Sequence, residues 1–249
     1  MAAAPVLLLD QTDSTNAEAR RRAEAGETGP LWIAAHRQTA GRGRRGRAWE
    51  GHTGNLFTTL LTTTRKPPAE AAQVTFIAAL AVADLLDRYA PPSLVTIKWP
   101  NDVMLAGQKA SGILVESGVH ETGALWLAVG IGVNLAEPPQ GAERPATALS
   151  HHLSAAHVAS PTVETAAGEL AESFAVWAER WETLGFQPIL DGWAARTPGL
   201  DGPAVARLGH ETVEGRAEGV AADGALRLRL ADGSLRLISA GDVFFGEAL

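Results

Sequence analysis

Residues 94–133 contain four short apolar segments that are separated by very short connections. The segments at 94–98, 103–105, 113–117 and 125–133 have the composition of buried strands. Connections of this length leave no room for a helical crossover, so neighbouring strands should pair antiparallel. The sequence therefore predicts an antiparallel meander in the middle of the chain.

Helical patterns flank this meander on both sides. Apolar residues recur on one broad face over 69–89, and a second helix is predicted over 162–184, with Pro161 at its first helical position. Further strands are predicted at 6–9, 31–35 and 55–63. Strands bracketed by helices indicate an α+β fold, in which helices pack on a mixed, largely antiparallel sheet.

The pattern becomes a simple alternation after residues 198–202. Leu226 and Leu228 are expected to point inward between outward arginines, and Asp-Gly pairs predict tight turns between the strands. We therefore expect two domains, with the boundary between 1–199 and 200–249. The second domain is expected to be a small β-barrel.

Composition excludes several classes of protein. The chain has 249 residues, no cysteine and a formal net charge of -7. The lack of cysteine excludes disulfide scaffolds, thiolate metal sites and cysteine nucleophiles. The negative charge disfavours DNA and anionic membranes, and no uninterrupted apolar run reaches the roughly 20 residues that span a bilayer. Without a signal-peptide pattern, a cytoplasmic location with no DNA or membrane partner is expected.

A glycine- and arginine-rich segment is the most unusual motif. It consists of Gly41, Arg42, Gly43, Arg44, Arg45, Gly46 and Arg47. Arginine suits bidentate binding of phosphate or carboxylate, and glycine allows the backbone to approach a ligand. A solvated basic loop or a nucleic-acid patch remains the alternative interpretation. The segment is followed by Trp49, an aromatic side chain suited to stacking on a purine.

A second cluster of polar residues lies at the turns of one predicted hairpin. Lys98, Asn101 and Asp102 precede the strand at 103–105, and Lys109 follows it. Because this strand is so short, both of its ends can border one pocket. Lys98 is expected to be an outward-facing strand residue, and ordinary turn chemistry also explains the Asn-Asp pair. Lys109 is a candidate anion ligand. Its place just before a buried strand fits a purely structural role equally well.

A further helix is predicted from about residue 14 to Gly26, and small polar residues begin it. Ser14, Thr15 and Asn16 could offer hydrogen bonds to a polar ligand, or Thr15 could form a capping box with Glu18. Glycines at the end of the strand at 125–133 would allow a flat group to press on the backbone, or they could mark a bulge. The seven histidines are scattered, so no fixed metal site is expected.

Together these motifs resemble those of bacterial biotin protein ligases (biotin–[acetyl-CoA-carboxylase] ligases). The resemblance runs from about residue 5 to the C-terminus, and the order of the motifs is more specific than any one of them. Since the chain starts at the first catalytic strand, it resembles the monofunctional form without an N-terminal DNA-binding domain. The motifs are the segments 14–16, 38–49, 54–57, 98–102, 109–116 and 130–134.

The resemblance implies a fold and a reaction. The fold would be a catalytic domain like that of class II aminoacyl-tRNA synthetases, followed by an SH3-like barrel. The enzyme would join biotin to Mg²⁺-ATP to form biotinyl-5′-AMP. It would then transfer biotin to a lysine of a biotin carboxyl carrier protein, which is a subunit or domain of acetyl-CoA carboxylase. Mg²⁺ would arrive with ATP.

The resemblance also implies roles for individual residues. Biotin binding is assigned to Ser14, Thr15, Asn16, Gln38, Gly41, Arg42, Gly43, Arg44, Lys109 and Gly112. ATP binding is assigned to Arg44, Arg47, Trp49, Asn101, Lys109 and Asn134. Lys109 and Arg44 would act in catalysis by holding the carboxylate and the α-phosphate. Asp102 is a hypothetical hydrogen-bond acceptor for the incoming carrier lysine.

Two alternative functions are open. A lipoate–protein ligase has the same fold and type of reaction, but its Arg-Arg-x-Ser-Gly-Gly-Gly motif does not occur here. A nucleic-acid-binding module would use the arginines for polymer phosphates, and the net negative charge argues against it.

Overall fold

The computed structural model describes residues 4–140, 145–156 and 159–246. In this part of the chain the larger sheet consists of β1 (Val6–Thr12), β2 (Leu31–Gln38), β3 (Leu56–Thr64), β4 (Val95–Lys98), β5 (Asp102–Leu105), β6 (Gln108–Val119) and β7 (Leu125–Val133). The helices are α1 (Thr15–Glu24), α2 (Pro68–Ala71), α3 (Val74–Asp87), α4 (Val163–Leu184) and α5 (Gln187–Ala194). The smaller sheet consists of β8 (Pro203–Arg207), β9 (Thr212–Val220), β10 (Leu226–Arg229), β11 (Leu235–Ile238) and β12 (Asp242–Phe245).

The larger sheet has the strand order β1-β2-β3-β7-β6-β5-β4. β1 and β2 pair parallel across the helix α1, and every other described pair in this sheet is antiparallel. The sequence prediction of a mixed, largely antiparallel sheet with packed helices is therefore confirmed. The predicted meander corresponds to β4, β5, β6 and β7.

The main core lies between this sheet and the helices α3 and α4. Ile77, Leu80 and Leu85 of α3 are completely buried, as is Leu170 of α4. By length and composition the stretch Pro68–Asp87 could cross a membrane, but 72% of its apolar window is buried in the protein interior. Its apolar character is explained by core packing.

Several helix predictions need correction. The helix expected over 69–89 is divided into α2 and α3, with a turn at Ala72 and Gln73. Pro161 does not open α4, because Thr162 is the N-cap residue and accepts a hydrogen bond from the backbone N–H of Thr165. The short helix α5 was not predicted from the sequence.

The strand β6 is much longer than expected. It has 12 residues, whereas the apolar pattern covers only 113–117. The first part of β6 contains Lys109, Ser111 and Gly112, which have no strand-like apolar alternation. Pairing with β5 and β7 holds this part extended, so tertiary context overrides the local pattern.

The smaller sheet packs against the start of α3. Its strand order is β11-β10-β9-β8-β12, and all of its described pairs are antiparallel. The side chain of Gln73 donates to Ala222 O at 2.7 Å, and Trp99 Nε1 donates to Gly224 O at 3.0 Å. These contacts fix the smaller sheet beside the turn between β4 and β5.

Candidate active site

A cavity of about 420 Å³ lies between the start of α1, the glycine- and arginine-rich segment, and the strands β5, β6 and β7. It contains the site residues predicted from the sequence with a single exception, Gly41. The predicted residues that line it are Ser14, Thr15, Asn16, Gln38, Arg42, Gly43, Arg44, Arg47, Trp49, Asn101, Asp102, Lys109, Gly112 and Asn134. Residues that are far apart in the sequence therefore surround one pocket.

The start of α1 forms one end of the cavity. The predicted capping box between Thr15 and Glu18 is wrong, because Ser14 is the N-cap residue and no side chain caps the helix locally. The backbone N–H of Thr15 instead donates to Gln38 Oε1 at 2.7 Å, and Glu18 pairs with Arg21 and Arg22. The buried Ser14 hydroxyl thus remains available to a ligand.

The amide of Asn16 is held in one orientation. Asn16 Nδ2 donates to Glu116 Oε2 at 2.8 Å and to Leu114 O at 3.3 Å, and the Thr59 hydroxyl lies 2.7 Å from Asn16 Oδ1. Both amide hydrogens are therefore engaged by the protein. Thr59 and Glu116 support the site. Glu116 lies in the motif at 109–116, but the sequence indicated no role for either residue.

The close approach of Asn16 to β7 requires glycine at position 130. A Cβ atom at Gly130 would overlap Asn16 Oδ1, whereas a Cβ at Gly168 in α4 would enter open space. We expect Gly130→Ala to destabilise the fold by about 1–3 kcal/mol, as measured by urea unfolding. The control Gly168→Ala should be neutral or more stable, since alanine favours helix. Equal stability of the two variants would contradict this packing.

The glycine- and arginine-rich segment folds back on itself beside the cavity. The backbone N–H of Trp49 donates to Gly41 O at 2.9 Å, and that of Gly43 donates to Arg47 O at 2.8 Å. Gly41 lies at the base of this loop, where a Cβ atom would collide with Trp49 O. Gly41 therefore shapes the loop rather than the cavity wall. We call residues 41–49 the arginine loop.

Each arginine of the loop faces a polar partner on another element. Arg42 lies 3.5 Å from Glu116 Oε1, and Arg44 Nη1 donates to Asn101 Oδ1 at 2.8 Å. Arg45 and Arg47 both face Asp242. Burial lowers the pKa of the Arg44 guanidinium, and the neighbouring Arg45 charge lowers it further. Arginine nevertheless remains a cation at neutral pH.

Lys109 and Asp102 form an ion pair in the wall of the cavity that β5 and β6 provide. Lys109 Nζ lies 2.6 Å from Asp102 Oδ1, and their side chains are only 27% and 14% exposed. Asp102 is the first residue of the short strand β5, and Lys109 lies near the start of β6, where it is the register partner of Met104. The pairing register of the two strands shifts between Val103 and Met104. This geometry is consistent with the prediction that both ends of the short strand border one pocket.

The indole ring of Trp49 covers two glycines of the sheet. Gly112 of β6 and Gly132 of β7 are direct register partners, and a Cβ atom on either would collide with the ring. Lys109 Nζ lies 5.4 Å from the ring centroid on Trp49. The glycines therefore accommodate a flat group, as expected, and here that group is a side chain of the protein.

Other polar residues lie outside the cavity or serve a structural role. Lys98 does not line it, and its Nζ lies 4.6 Å from the ring centroid of Phe244. The buried Asn134 lines the cavity, but its Nδ2 donates to Thr147 O at 3.0 Å. Among the described residues no group of three or more His, Asp or Glu side chains could hold a metal ion.

Comparison with known proteins identifies the family. Residues 8–134 match the model of the biotin/lipoate A/B protein ligase family, and residues 205–246 match the biotin protein ligase C-terminal domain. The biotin–[acetyl-CoA-carboxylase] ligase of Paracoccus denitrificans is 43% identical over 96% of this chain and 100% of its own length. The corresponding ligase of Mycobacterium tuberculosis is 31% identical over 94% of this chain and 86% of its own length.

A solved structure has the same fold. The biotin protein ligase from Aquifex aeolicus in complex with biotin and ATP superposes with a TM-score of 0.78 and 22% sequence identity, covering 98% of this chain and 99% of that one. The expectation of a mixed-sheet ligase fold with a C-terminal β domain is confirmed. The chain therefore belongs to the biotin/lipoate A/B protein ligase family and, within it, to the biotin protein ligases.

Proposed function

We propose that the chain activates biotin with ATP to form biotinyl-5′-AMP and then transfers biotin to a lysine of a biotin carboxyl carrier protein of acetyl-CoA carboxylase. The observation that carries this proposal is the convergence of the arginine loop and Lys109 on one cavity of about 420 Å³. A site of this size fits a small ligand with a nucleotide. The cytoplasmic location expected from the sequence belongs to the same proposal.

The start of α1 would bind the head group of biotin. Ser14 has a buried hydroxyl that faces the cavity, and Gln38 Oε1 already accepts from Thr15, so the amide nitrogen of Gln38 can donate to the ligand. Asn16 would act mainly through its oxygen, because its amide hydrogens are engaged by Glu116 and Leu114. These residues would position the ring system so that the biotin carboxylate points toward Lys109.

The first chemical step joins two anions. A carboxylate oxygen of biotin bonds to the α-phosphorus of ATP, the bond from that phosphorus to the bridging oxygen of the β-phosphate breaks, and pyrophosphate leaves. Little proton transfer is needed, so electrostatic stabilisation and positioning dominate. Lys109 would bridge the carboxylate and the α-phosphate. Arg42, Arg44 and Arg47 would offset the remaining negative charge.

The nucleotide would occupy the cavity beside Trp49, Asn101 and Asn134. Trp49 offers an aromatic face for adenine, and Asn101 lies beside Arg44 on the phosphate side. Among the described residues there is no dedicated metal cluster, so Mg²⁺ would arrive with ATP, and Asn101 would be the nearby oxygen donor on the phosphate side. When bound, Mg²⁺ neutralises phosphate charge.

The second step uses a lysine of the carrier protein. Its amine attacks the acyl carbon of biotinyl-5′-AMP, the amide bond forms, and AMP leaves. The amine must be uncharged to attack, while free lysine is protonated at neutral pH. Asp102 lines the cavity at the lysine-bearing wall. Its carboxylate would accept a hydrogen bond, and then a proton, from the incoming amine.

Pyrophosphate exchange tests this function directly. The purified chain is incubated with ATP, labelled pyrophosphate and either biotin or lipoate, and label entering ATP is counted. We expect exchange with biotin, no exchange with lipoate, and biotinylation of a single lysine when a carrier protein is added. Exchange supported by lipoate would refute the assignment of biotin as substrate, and the absence of exchange with either acid would refute acyl-adenylate formation.

A further inference from the structure

Asp242 connects the smaller sheet to the arginine loop. It is the first residue of β12 and pairs with Arg207 in the antiparallel register between β12 and β8. Its side chain is 22% exposed, and it lines the same cavity as Lys109 and Trp49. A residue of the second sheet therefore forms part of the wall of the proposed site.

The carboxylate of Asp242 faces two arginines at once. Asp242 Oδ2 lies 3.8 Å from Arg45 Nη1 and 3.5 Å from Arg47 Nη2. Arg45 has a φ of 57°, a left-handed conformation that is unfavourable for arginine. The loop therefore holds a strained turn at the point where this carboxylate lies.

The arginine loop is held from three separate elements. Glu116 of β6 faces Arg42, Asn101 of the turn between β4 and β5 faces Arg44, and Asp242 of β12 faces the remaining two arginines. Four arginines in so short a segment repel one another. Removing one of these partners should favour conformations in which the loop has moved away from the cavity.

Loop position matters because the proposed intermediate is labile. A mixed anhydride hydrolyses to biotin and AMP when water reaches it, so closure of a loop over the site protects it. Exposed ion pairs add little to folding stability. Free energies of this size are nevertheless enough to change the fraction of loop that is open several-fold.

We propose that Asp242 is a positioning residue, by which the smaller sheet holds the arginine loop over the cavity and keeps water from the acyl-adenylate. The effect on the intermediate rests on the proposed function, whereas the anchoring of the loop does not. The two parts can therefore be tested separately.

Limited trypsin digestion tests the anchoring without any substrate. Although Arg45 and Arg47 are exposed, trypsin cuts only a backbone that can extend into its active site, so cleavage after them reports the fraction of loop that has left its folded position. Mass spectrometry identifies these cuts. We expect Asp242→Asn to be cleaved there about three- to tenfold faster than the wild type, which corresponds to the loss of two exposed ion pairs. The matched control Glu214→Gln changes an exposed carboxylate of β9 and should leave cleavage unchanged.

Two further measurements separate anchoring from a general loss of stability. The urea midpoint of Asp242→Asn should equal that of the wild type, and Asp242→Glu should restore slow cleavage. An unchanged cleavage rate in Asp242→Asn would overturn the anchoring, as would faster cleavage in Asp242→Asn that is fully accounted for by a lower urea midpoint.

The role toward the intermediate is measured by AMP release in the presence of biotin and ATP and in the absence of carrier. We expect release from Asp242→Asn to be about three- to tenfold faster, in parallel with cleavage. Faster cleavage with unchanged AMP release would overturn the protective role. If neither protein converts ATP to biotinyl-5′-AMP or AMP in the presence of biotin, the proposed function fails, while the digestion still decides whether Asp242 anchors the loop.

Discussion

Replacing Lys109 with glutamine should reduce biotin-dependent pyrophosphate exchange by about 100- to 1000-fold, the loss typical of removing a preorganised electrostatic contact. Lys109 is a mostly buried cation, only 27% exposed, at the wall where the two anionic reactants would meet. Glutamine keeps a hydrogen-bond donor, on a side chain one bond shorter, but lacks the charge. The loss should appear mainly in the rate at saturating substrate, because the charge is needed most where negative charge concentrates in the transition state.

Lys98→Gln is the matched control for this experiment. Lys98 lies outside the cavity, with its Nζ over the ring of Phe244, so the same chemical change should leave exchange close to the wild-type rate. Urea unfolding of both variants checks that each protein is folded. Wild-type exchange by Lys109→Gln would remove the main support for the proposed site.

Replacing Asp102 with asparagine should separate the two half-reactions. Transfer of biotin from preformed biotinyl-5′-AMP to the carrier should slow by about 100- to 10,000-fold, the range for loss of a general base. Adenylate formation should fall much less, since asparagine keeps an oxygen that can accept from Lys109. Single-turnover mixing with the carrier measures transfer, and pyrophosphate exchange measures adenylate formation.

The pH dependence gives an independent check on Asp102. Without a carboxylate to accept its proton, the carrier lysine reacts only through its free-amine fraction, which rises tenfold per pH unit below its usual pKa of about 10.4. Transfer by Asp102→Asn should therefore increase more steeply with pH than transfer by the wild type. Equal losses in both half-reactions, with parallel pH profiles, would mean that Asp102 acts only by holding Lys109 in position.

The position of Lys109 beside Asp102 could be anticipated from the sequence because it depends on local chain geometry. The strand β5 begins at Asp102 and is only four residues long, and the turn after it leads directly into β6, so the two residues cannot lie far apart. The arginine loop could also be anticipated, since glycine and arginine alternate in it without strand or helix periodicity. Local chain geometry and chemistry are sufficient for such features.

The residues that support the site could not be identified in this way. Glu116 is separated from Asn16 by 100 positions, and Asp242 meets Arg47 only because the smaller sheet packs beside the turn between β4 and β5. These contacts depend on strand register and sheet packing, which a single sequence does not specify. Each of the three side chains Thr59, Glu116 and Asp242 resembles an ordinary surface polar residue in the sequence.

The incorrect capping prediction has the same physical origin. Thr15 and Glu18 have the right spacing for a capping box, but Gln38 of β2 supplies the hydrogen-bond acceptor for the backbone N–H of Thr15. A long-range partner therefore replaces a local one. As a result the Ser14 hydroxyl remains available at the cavity, which favours a binding role for a motif that would otherwise be explained by helix capping.

The most direct test of the central claim is a single-turnover reaction of the purified chain with biotin and ATP labelled in the α-phosphate. If the cavity joins the two anions and shields their product, the label should remain on the protein as non-covalently bound biotinyl-5′-AMP. It should then leave as AMP when the carrier is added. Recovery of the label as ADP, or as free AMP that appears as fast as the adenylate is formed and without any carrier, would contradict the account.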